Sequence, residues 1–424
     1  MILEVIVDQR SEVEAEQLTA RNLELDNFNT VVVGVRRAGK SSLLFALIQK
    51  LLAAGKSWSD ILYLNFEDER LQELTASDLN LVLEAFATLS GKKPILFFDE
   101  IQNVDGWEKF VRRTADFKYL TYITGSNARM LGKEVASSLG GRFMIETLFP
   151  YDFGEFLRAK GVQHLPRSAM TTLQKGENTR LLREFLTFGG FPESLRVSRK
   201  KNYLSGIYEK LYLGDIALRN RLRNPQQLRL LLKKAAESVN QPISLRRLAK
   251  EVSASGTSFT HVSAAEYLRC CEEAFLLFSI ANYQGSFAER EGKKKYYFID
   301  QGLLSILRLD ARSAQFENAV ASMLVRTYGL DGQVFFYRNG VEVDFYVPQT
   351  GLALQACLDP SDEATLAREC RALAKLAAAP NTPCERLVVV TESESRTVEF
   401  EGRQISLTPF SDWMLQLQSE SSEA

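Results

Sequence analysis

Gly34-Val35-Arg36-Arg37-Ala38-Gly39-Lys40-Ser41 is the stretch that decides the fold of this 424-residue chain. It matches the pattern G-x-x-x-x-G-K-[ST], in which glycines let backbone N–H groups turn toward phosphate oxygens. The apolar run Thr30–Val33 predicts a buried strand before it, and residues 42–48 predict a helix after it. The N-terminus of that helix adds partial positive charge. Strand, loop and helix in this order predict a phosphate-binding P-loop.

The P-loop pattern assigns roles to individual residues. Lys40 is expected to reach the β- and γ-phosphates, and the Ser41 hydroxyl is expected to bind Mg²⁺. The sequence therefore predicts ATP and Mg²⁺ as cofactors. The predicted nucleotide contacts of this loop come from Gly34, Arg36, Arg37, Ala38, Gly39, Lys40, Ser41 and Ser42.

A second buried strand, Ile95-Leu96-Phe97-Phe98, ends in the two carboxylates Asp99 and Glu100. Ligands of open α/β sheets bind at the carboxyl ends of the strands, so Asp99 is expected beside the P-loop as part of the Mg²⁺ shell. Glu100 is expected to orient and deprotonate the attacking water. Phosphoryl transfer needs mainly positioning and charge neutralisation, so Lys40, Ser41, Asp99 and Glu100 predict ATP hydrolysis.

Two further positions are candidates for contact with the nucleotide. Ser126 and Asn127 follow the strand-like segment 119–124 and are expected to bond the water or the γ-phosphate, or alternatively to cap a helix. Arg142 follows a helix and opens a strand, so it is a candidate catalytic arginine finger acting on a neighbouring subunit. The alternative for Arg142 is a surface arginine near a helix C-terminus.

Composition narrows the class of protein. The net charge of -1 gives no global basic bias that would favour nucleic-acid binding. The sequence has no run of 18 apolar residues, so no membrane span is predicted. The N-terminus lacks the features of a signal peptide. Five cysteines without C-x-x-C spacing predict reduced thiols and a cytoplasmic location, and two histidines disfavour a zinc site or a histidine-based triad.

The chain is too long for one core, and its patterns change along its length. Alternating strand-like and helix-like segments in the first part predict an α/β fold with a parallel sheet. The predicted divisions are a P-loop domain at 1–150, a helical region at 151–240, a winged-helix-like domain at 241–300, a C-terminal domain at 301–417 and a disordered tail at 418–424.

Residues 241–300 predict a helix-turn-helix with a wing. Helical segments at 243–252 and 262–271 precede a strand at 275–280, and the wing extends through 281–299. Exposed Arg246, Arg247 and Lys250 with Lys293–Lys295 on the wing are candidate phosphate contacts, which makes DNA a candidate partner. Nearby glutamates dilute the charge, so a structural or protein-docking role is the alternative.

In the C-terminal domain a helix with Glu317 precedes the alternating strand Val341–Val347 and a further strand at 352–357. This order resembles the PD-(D/E)XK (restriction-endonuclease-like) α/β nuclease core. Asp344 lies on the alternating strand Val341–Val347, Glu317 lies on an upstream helix, and Glu342 shares the face of Asp344. The nuclease tripeptide Glu-x-Lys is replaced by Gln355-Ala356-Cys357. The three carboxylates are expected to retain the ability to hold a cation, but the lysine that tunes the nucleophile is missing. We therefore predict a degenerate, non-cutting domain.

Taken together, these motifs resemble a prokaryotic family of predicted AAA+-superfamily ATPases with a C-terminal domain of uncharacterised function. The resemblance implies an AAA+-like P-loop domain with ATP binding and hydrolysis, and it leaves the biological role open. The matching stretches lie at 34–41, 64–68, 98–102, 123–128, 140–142, 153–157, 189–193 and 317–320.

The sequence thus predicts a cytoplasmic, Mg²⁺- and ATP-dependent molecular switch that hydrolyses ATP. One alternative is an ATP-gated DNA-binding regulator or defence component. The other alternative is a metal-dependent nuclease using Glu317, Glu342 and Asp344, which the altered tripeptide disfavours. A homo-oligomer is expected if Arg142 acts on a neighbouring subunit, and no membrane partner is expected.

Overall fold

The computed structural model describes residues 1–126, 139–254, 256, 258–330 and 332–423, without the side chains of 421–423. Asn127, one of the predicted nucleotide contacts, lies outside the described residues. The chain divides into two compact units. The first comprises Met1–Pro150 with Glu273–Phe275, and the second comprises Tyr151–Glu272 with Leu276–Ala424.

The first unit is built on a parallel sheet. Its described strands are β1 (Thr30–Val33), β2 (Ile61–Asn65), β3 (Ile95–Asp99), β4 (Thr121–Gly125) and β5 (Met144–Thr147). Its described α-helices are α1 (Ile2–Ala15), α2 (Lys40–Ala53), α3 (Leu79–Leu89) and α4 (Trp107–Asp116). The strands lie in the order β2-β3-β4-β1-β5 and all their pairings are parallel. The predicted α/β class with a P-loop-type parallel sheet is therefore confirmed.

The core of this sheet follows from its sequence. All four residues of β1 are buried, as expected of a central strand covered on both faces. A cluster of buried side chains lies between the sheet and its helices, and it includes Val13 of α1, Leu44 and Ile48 of α2, and Tyr63 and Phe97 of the sheet. This packing fixes α1 and α2 against the strands that end at the P-loop.

The register of the strands brings the polar residues to one edge. Val33 is level with Gly125 across β1 and β4, and Asn65 is level with Asp99 across β2 and β3. Because β4 lies between β1 and β3, the P-loop and Asp99 are separated by one strand. The carboxyl ends of β1, β3 and β4 therefore share the edge where the site was predicted.

The second unit contains the remaining described elements. Its strands are β6 (Ile243–Ser244), β7 (Leu277–Asn282), β8 (Lys293–Phe298), β9 (Phe335–Arg338), β10 (Glu342–Val347), β11 (Leu352–Ala356), β12 (Arg386–Thr391), β13 (Arg396–Phe400) and β14 (Arg403–Pro409). Its α-helices are α5 (Phe153–Ala159), α6 (Thr172–Phe188), α7 (Lys200–Glu209), α8 (Pro225–Glu237), α9 (Leu245–Ser253), α10 (His261–Glu273), α11 (Phe287–Gly292), α12 (Leu304–Leu307), α13 (Arg312–Tyr328), α14 (Glu363–Ala377) and α15 (Phe410–Glu423). A π-helical turn, Lys210–Leu218, continues α7.

One mixed sheet runs through the second unit. The described strands follow the order β13-β14-β12-β11-β10-β9-β7-β8-β6. β7 pairs antiparallel with β8 and parallel with β9, with Ala281 level with Phe335. The sequence segments 241–300 and 301–417 were expected to be separate, but they share this sheet. A parallel pairing between distant strands has no local sequence signal, which explains the difference.

The segment 225–298 begins with the helices α8, α9 and α10. The antiparallel strands β7 and β8 follow, with the short helix α11 between them and β6 on the far side of β8. The predicted wing differs in one respect. Lys293 is exposed, but Lys295, two residues along β8, is completely buried. Lys295 was expected among exposed phosphate contacts, and that expectation is wrong because its side chain faces a cluster of carboxylates.

The segment predicted as a disordered tail also differs from that prediction. The helix α15 continues from Phe410 to Glu423, beyond the expected order boundary at residue 417. Phe410, Trp413 and Leu417 are buried on one face, so the apolar start of the helix anchors its polar end. None of the described helices is long and apolar enough to cross a membrane.

Candidate nucleotide-binding site

The P-loop connects the end of β1 to the start of α2, and its shape depends on two glycines. Gly34 has a φ of 149°, and a Cβ atom at this position would lie 2.1 Å from the Leu148 carbonyl oxygen. Gly39, at the N-cap of α2, has a φ of 96°. Both are backbone conformations that L side chains rarely adopt, so the loop path requires glycine at these positions.

Lys40 begins α2, and its side chain folds back over the loop. Its Nζ atom donates hydrogen bonds to the Gly34 and Val35 carbonyl oxygens at 3.2 and 3.4 Å. Nζ also lies 3.5 Å from Glu100 Oε1. These contacts are long, and the ammonium group is almost fully buried. A buried cation with weakly held partners at the mouth of a loop fits the binding of phosphate oxygens.

Asp99 ends β3 and is completely buried. It accepts a hydrogen bond from the Tyr63 hydroxyl at 2.9 Å and further bonds from the Thr124 and Ser41 hydroxyls. Burial raises the pKa of Asp99 and the charge of Glu100 raises it further, while the three hydroxyl donors oppose the shift. Ser41 and Asp99 therefore meet, as the predicted Mg²⁺ ligands must, and both offer the oxygen donors that this ion prefers.

Thr124 was missed by the sequence analysis, although it lies two residues before Ser126. Its hydroxyl donates to Asp99 Oδ1 and accepts from the Glu100 N–H at 2.9 Å. One buried hydroxyl therefore holds the Asp99 carboxylate and the backbone of Glu100. A threonine in a strand is an ordinary core residue, and only the pairing of β3 with β4 reveals this role.

Glu100 follows β3 in a left-handed conformation with a φ of 52°. Burial would raise its pKa, but the Lys40 charge and the Gln102 side-chain amide outweigh burial, so the pKa is lowered. Glu100 is therefore a carboxylate near neutral pH. An ionised carboxylate beside the P-loop lysine fits the predicted role of orienting and deprotonating water.

The other predicted contacts are placed around this centre. The Ser126 side chain is buried, and its hydroxyl lies close enough to Glu100 to help lower the pKa of that carboxyl. Ala38 is buried, and Ser42 is half-buried in the first turn of α2. Ser126 therefore lies beside the carboxylate that was predicted to activate water.

The two arginines inside the loop differ. Arg36 Nη2 lies 2.5 Å from Glu67 Oε1, and its charge helps to lower the pKa of Glu100. Arg37 is exposed and has a φ of 68°. Arg21, which the sequence analysis did not consider, donates to the Ala38 carbonyl oxygen at 2.9 Å and to the Phe149 carbonyl oxygen at 2.6 Å. Arg21 therefore holds the end of the loop in place.

Arg142 is not part of this constellation within its own chain. Its Nε atom lies 2.6 Å from Asp116 Oδ1, and its Nη1 atom donates to the Gly140 carbonyl oxygen at 3.3 Å. Both partners are in the first unit and neither contacts Lys40 or Asp99 in the described residues. An arginine finger that acts in trans would have to leave the ion pair with Asp116.

A second polar cluster lies in the second unit, around Lys295. Its Nζ atom lies 3.2 Å from Glu317 Oε1, 3.1 Å from Glu342 Oε1 and 3.1 Å from Asp344 Oδ1. The Tyr297 hydroxyl also donates to Glu317, at 2.8 Å. These are the three carboxylates that were expected to be able to hold a cation. Among the described residues no group of three or more His, Cys, Asp and Glu side chains is placed to hold a metal ion, and the cation between these carboxylates is Lys295.

Gln355 and Cys357, which replace the nuclease tripeptide residues, have different surroundings. Gln355 Oε1 accepts from the Asp344 N–H at 2.8 Å, while its Nε2 atom donates to the Glu342 carbonyl oxygen at 3.0 Å. A glutamate could not make the second bond. Burial raises the pKa of the Cys357 thiol to about 12, so it stays protonated. Gln355 thus joins two strands, and Cys357 is inert.

Two protein families match parts of this chain. The AAA domain family matches residues 26–157, which contain the P-loop, Asp99 and Glu100. A domain of unknown function (DUF8612) matches residues 179–313. An uncharacterized protein of Methanocaldococcus jannaschii is 30% identical over 429 residues, covering 97% of this chain and 94% of the relative. An uncharacterized protein of Haemophilus influenzae is 31% identical over 334 residues, covering 75% of this chain and 79% of the relative.

Solved structures give weaker likenesses. The Aeropyrum pernix ORC1 protein in complex with DNA is 16% identical, with a TM-score of 0.31, covering 76% of this chain and 93% of that one. AMPPCP-bound DnaA from Aquifex aeolicus is 14% identical, with a TM-score of 0.25, covering 64% and 88% of the two chains. At these TM-scores the likenesses support no argument about function.

Proposed function

Because this chain belongs to the family of the Methanocaldococcus jannaschii protein and contains an AAA+ ATPase-like domain, we propose that it is a Mg²⁺-dependent ATPase that acts as a molecular switch. The observation that supports hydrolysis, beyond binding, is the convergence of four groups at one sheet edge. Lys40 lies beside Glu100, and Ser41 bonds Asp99. The groups that bind phosphate, hold a metal and activate water are all present.

Each residue then has a defined task. The loop amides and Lys40 bind phosphate oxygens, while Ser41 and Asp99 would hold Mg²⁺, which supplies charge neutralisation when bound. Glu100 accepts a proton from the attacking water, and Thr124 holds Glu100 and Asp99 in position. Ser126 places a buried hydroxyl beside Glu100. Since catalysis here is mainly positioning, small displacements of these groups are expected to slow hydrolysis strongly.

The test separates ATP binding from hydrolysis. Phosphate release by the purified full chain is expected to fall to about 1% or less in Lys40→Ala and in Glu100→Gln, from the loss of preorganised charge. Glu100→Gln is expected to keep ATP binding, measured with a fluorescent ATP analogue. The matched control is Lys50→Ala, an exposed lysine at the end of the same helix. Equal hydrolysis by Glu100→Gln and wild type would contradict the assignment.

We also propose that Arg142 acts on the active site of a neighbouring copy. Its ion pair with Asp116 is only half-buried, so exchange to a phosphate partner is feasible. Arg142→Ala and Lys40→Ala are each expected to be inactive alone. Mixed together, they are expected to regain part of the activity, because one copy supplies the P-loop and the other supplies Arg142. No recovery at concentrations where wild type self-associates would overturn the proposal.

The nuclease alternative has less support than before. Its three carboxylates already share Lys295 as an internal cation, and Gln355 is engaged as a link between strands. Plasmid cleavage in Mg²⁺ or Mn²⁺ that is lost in Asp344→Ala would restore it. We also propose that the predicted winged-helix-like domain at 241–300 extends back to include α8, on the order of its helices and strands.

A further inference from the structure

A cleft in the second unit is lined mainly by cationic side chains. Its volume is 790 Å³, and Arg247, Lys293, Arg338 and Arg368 line it with Glu342 as the one carboxylate among the described lining residues. The rest of the described lining is asparagine, glutamine, serine and proline, without aromatic side chains. Its ligand is therefore expected to be polar and anionic, without stacking on aromatic side chains of the described lining.

The cations of this cleft are accessible. The side chains of Arg247, Arg338 and Arg368 are 61%, 50% and 71% exposed. Each of them forms an ion pair with one nearby glutamate. Exposed pairs of this kind are weak, so these guanidinium groups can exchange their partners for phosphate. The planar guanidinium fork also matches phosphate oxygens geometrically. Glu342 is shared between Lys295 at 3.1 Å and Arg338 at 3.7 Å, and as the one carboxylate against four cations it leaves the described lining net positive.

The arrangement favours a chain of phosphates over one phosphate. The four cations come from separate elements, since Arg247 is on α9, Lys293 begins β8, Arg338 ends β9 and Arg368 is on α14. Ser244 caps α9 by accepting from the Arg247 N–H at 3.2 Å, so the positive end of that helix also faces the cleft lining. A groove with cations spread along it tracks a sugar–phosphate backbone.

The helix-turn-helix face is the competing surface in the same unit. The exposed residues of α10, its second helix, are His261, Val262, Ala265, Glu266 and Arg269. One arginine and one glutamate give that face no net charge at neutral pH. The cleft is therefore better suited to phosphate contact than α10, although the second helix is the one that enters a groove in helix-turn-helix proteins.

We propose that this cleft binds the sugar–phosphate backbone of nucleic acid without reading its sequence. This goes beyond the ATPase activity, and it requires neither ATP nor a metal ion. Affinity is expected to fall steeply with salt, because each phosphate contact releases counterions. A duplex is the expected ligand, since no aromatic side chain in the described lining offers stacking to unpaired bases.

The experiment measures fluorescence anisotropy of a labelled random-sequence duplex with the full chain, in EDTA and without nucleotide. Arg338→Glu/Arg368→Glu is expected to bind at least about tenfold more weakly, with a salt slope reduced by about 2. Arg396→Glu is the matched control, because Arg396 is also a strand arginine, 50% exposed and paired with one glutamate, on β13 at the other edge of the sheet. It is expected to change affinity less than about twofold.

Three outcomes would overturn the proposal. These are no binding by the wild type at low salt, an equal loss in Arg396→Glu, and a selective loss in Arg269→Glu, which would place the contact on α10. If the double variant melts early, Arg338→Gln and Arg368→Gln replace it as milder tests. Because EDTA and the absence of ATP silence hydrolysis, failure of this proposal is distinct from failure of the ATPase proposal.

Discussion

Replacing Thr124 with valine removes one hydroxyl group and leaves the shape of the side chain nearly unchanged. In the wild type this hydroxyl donates to Asp99 and accepts from the Glu100 N–H, and Thr124 is completely buried. The substitution leaves a buried carboxylate with one donor fewer and a buried N–H without an acceptor. Both losses act on residues proposed to perform the chemistry.

The magnitude follows from the two bonds. A hydrogen bond to a charged group contributes about 1.5–3 kcal/mol, and a buried donor left unsatisfied costs about 1–3 kcal/mol. The free energy of unfolding of the first unit is therefore expected to fall by about 3 kcal/mol or more in Thr124→Val. For a unit of this size that corresponds to a melting temperature roughly 6–12 °C lower. ATP turnover is expected to fall about 10–100-fold, as for other groups that orient a metal ligand.

Differential scanning calorimetry and phosphate release by the full chain measure the two effects. Thr124→Ser keeps the hydroxyl and is expected to restore most of both. Thr121→Val is the matched control, since Thr121 is equally buried in β4 but its hydroxyl has only one contact in the described residues, at 3.5 Å. If Thr124→Val melts within about 2 °C of the control and turns over ATP like wild type, the bridging role is refuted.

Three further predictions concern single groups. Tyr63→Phe removes the 2.9 Å bond to Asp99 and is expected to cost about 1–2 kcal/mol in the stability of the first unit, measured by calorimetry. Burial, and after it the Asp344 charge, raises the pKa of Glu317 from 4.5 to about 7. The folded second unit therefore favours the protonated form of Glu317, and its free energy of unfolding is expected to decline as the pH rises from 4.5 through 7. Chemical denaturation of the second unit at several pH values measures this decline. Glu317→Gln is expected to flatten the pH dependence, whereas Glu363→Gln, at an exposed position, is expected to leave it unchanged. Lys295→Met leaves three carboxylates without their cation and is expected to cost about 3–5 kcal/mol, whereas exposed Lys293→Met is nearly neutral. Added Mn²⁺ is expected to raise the melting temperature of Lys295→Met and not of wild type; the same rise in both would show that Lys295 does not stand in for a metal.

The parts of the site that local sequence determines were predictable. Gly34, Gly39, Lys40 and Ser41 lie within eight consecutive residues, so their spacing alone predicts a loop that binds phosphate. Asp99 was placed correctly because an apolar strand ending in a carboxylate reaches the same sheet edge as the P-loop. In both cases the relevant geometry is set by neighbours along the chain and by the general rule for parallel sheets.

The parts that depend on pairing between distant segments were not predictable. Thr124 acquires its role only because β3 and β4 are adjacent in the sheet. Lys295 lies in a run of three lysines that is typical of an exposed surface, yet alternation along β8 turns it inward toward Glu317 and Asp344. Nothing within a few residues of Lys295 indicates a buried partner, because both carboxylates lie on other elements.

The pairing of β7 with β9 has an evolutionary consequence. A chain divided after residue 300 would leave β9 and β7 with unpaired edges, and open edges of this kind invite aggregation. The segments before and after that point therefore cannot be exchanged separately with those of other proteins without repairing a sheet. Recombination is expected to tolerate a junction near residue 150, where the first compact unit ends apart from Glu273–Phe275, better than one within the shared sheet.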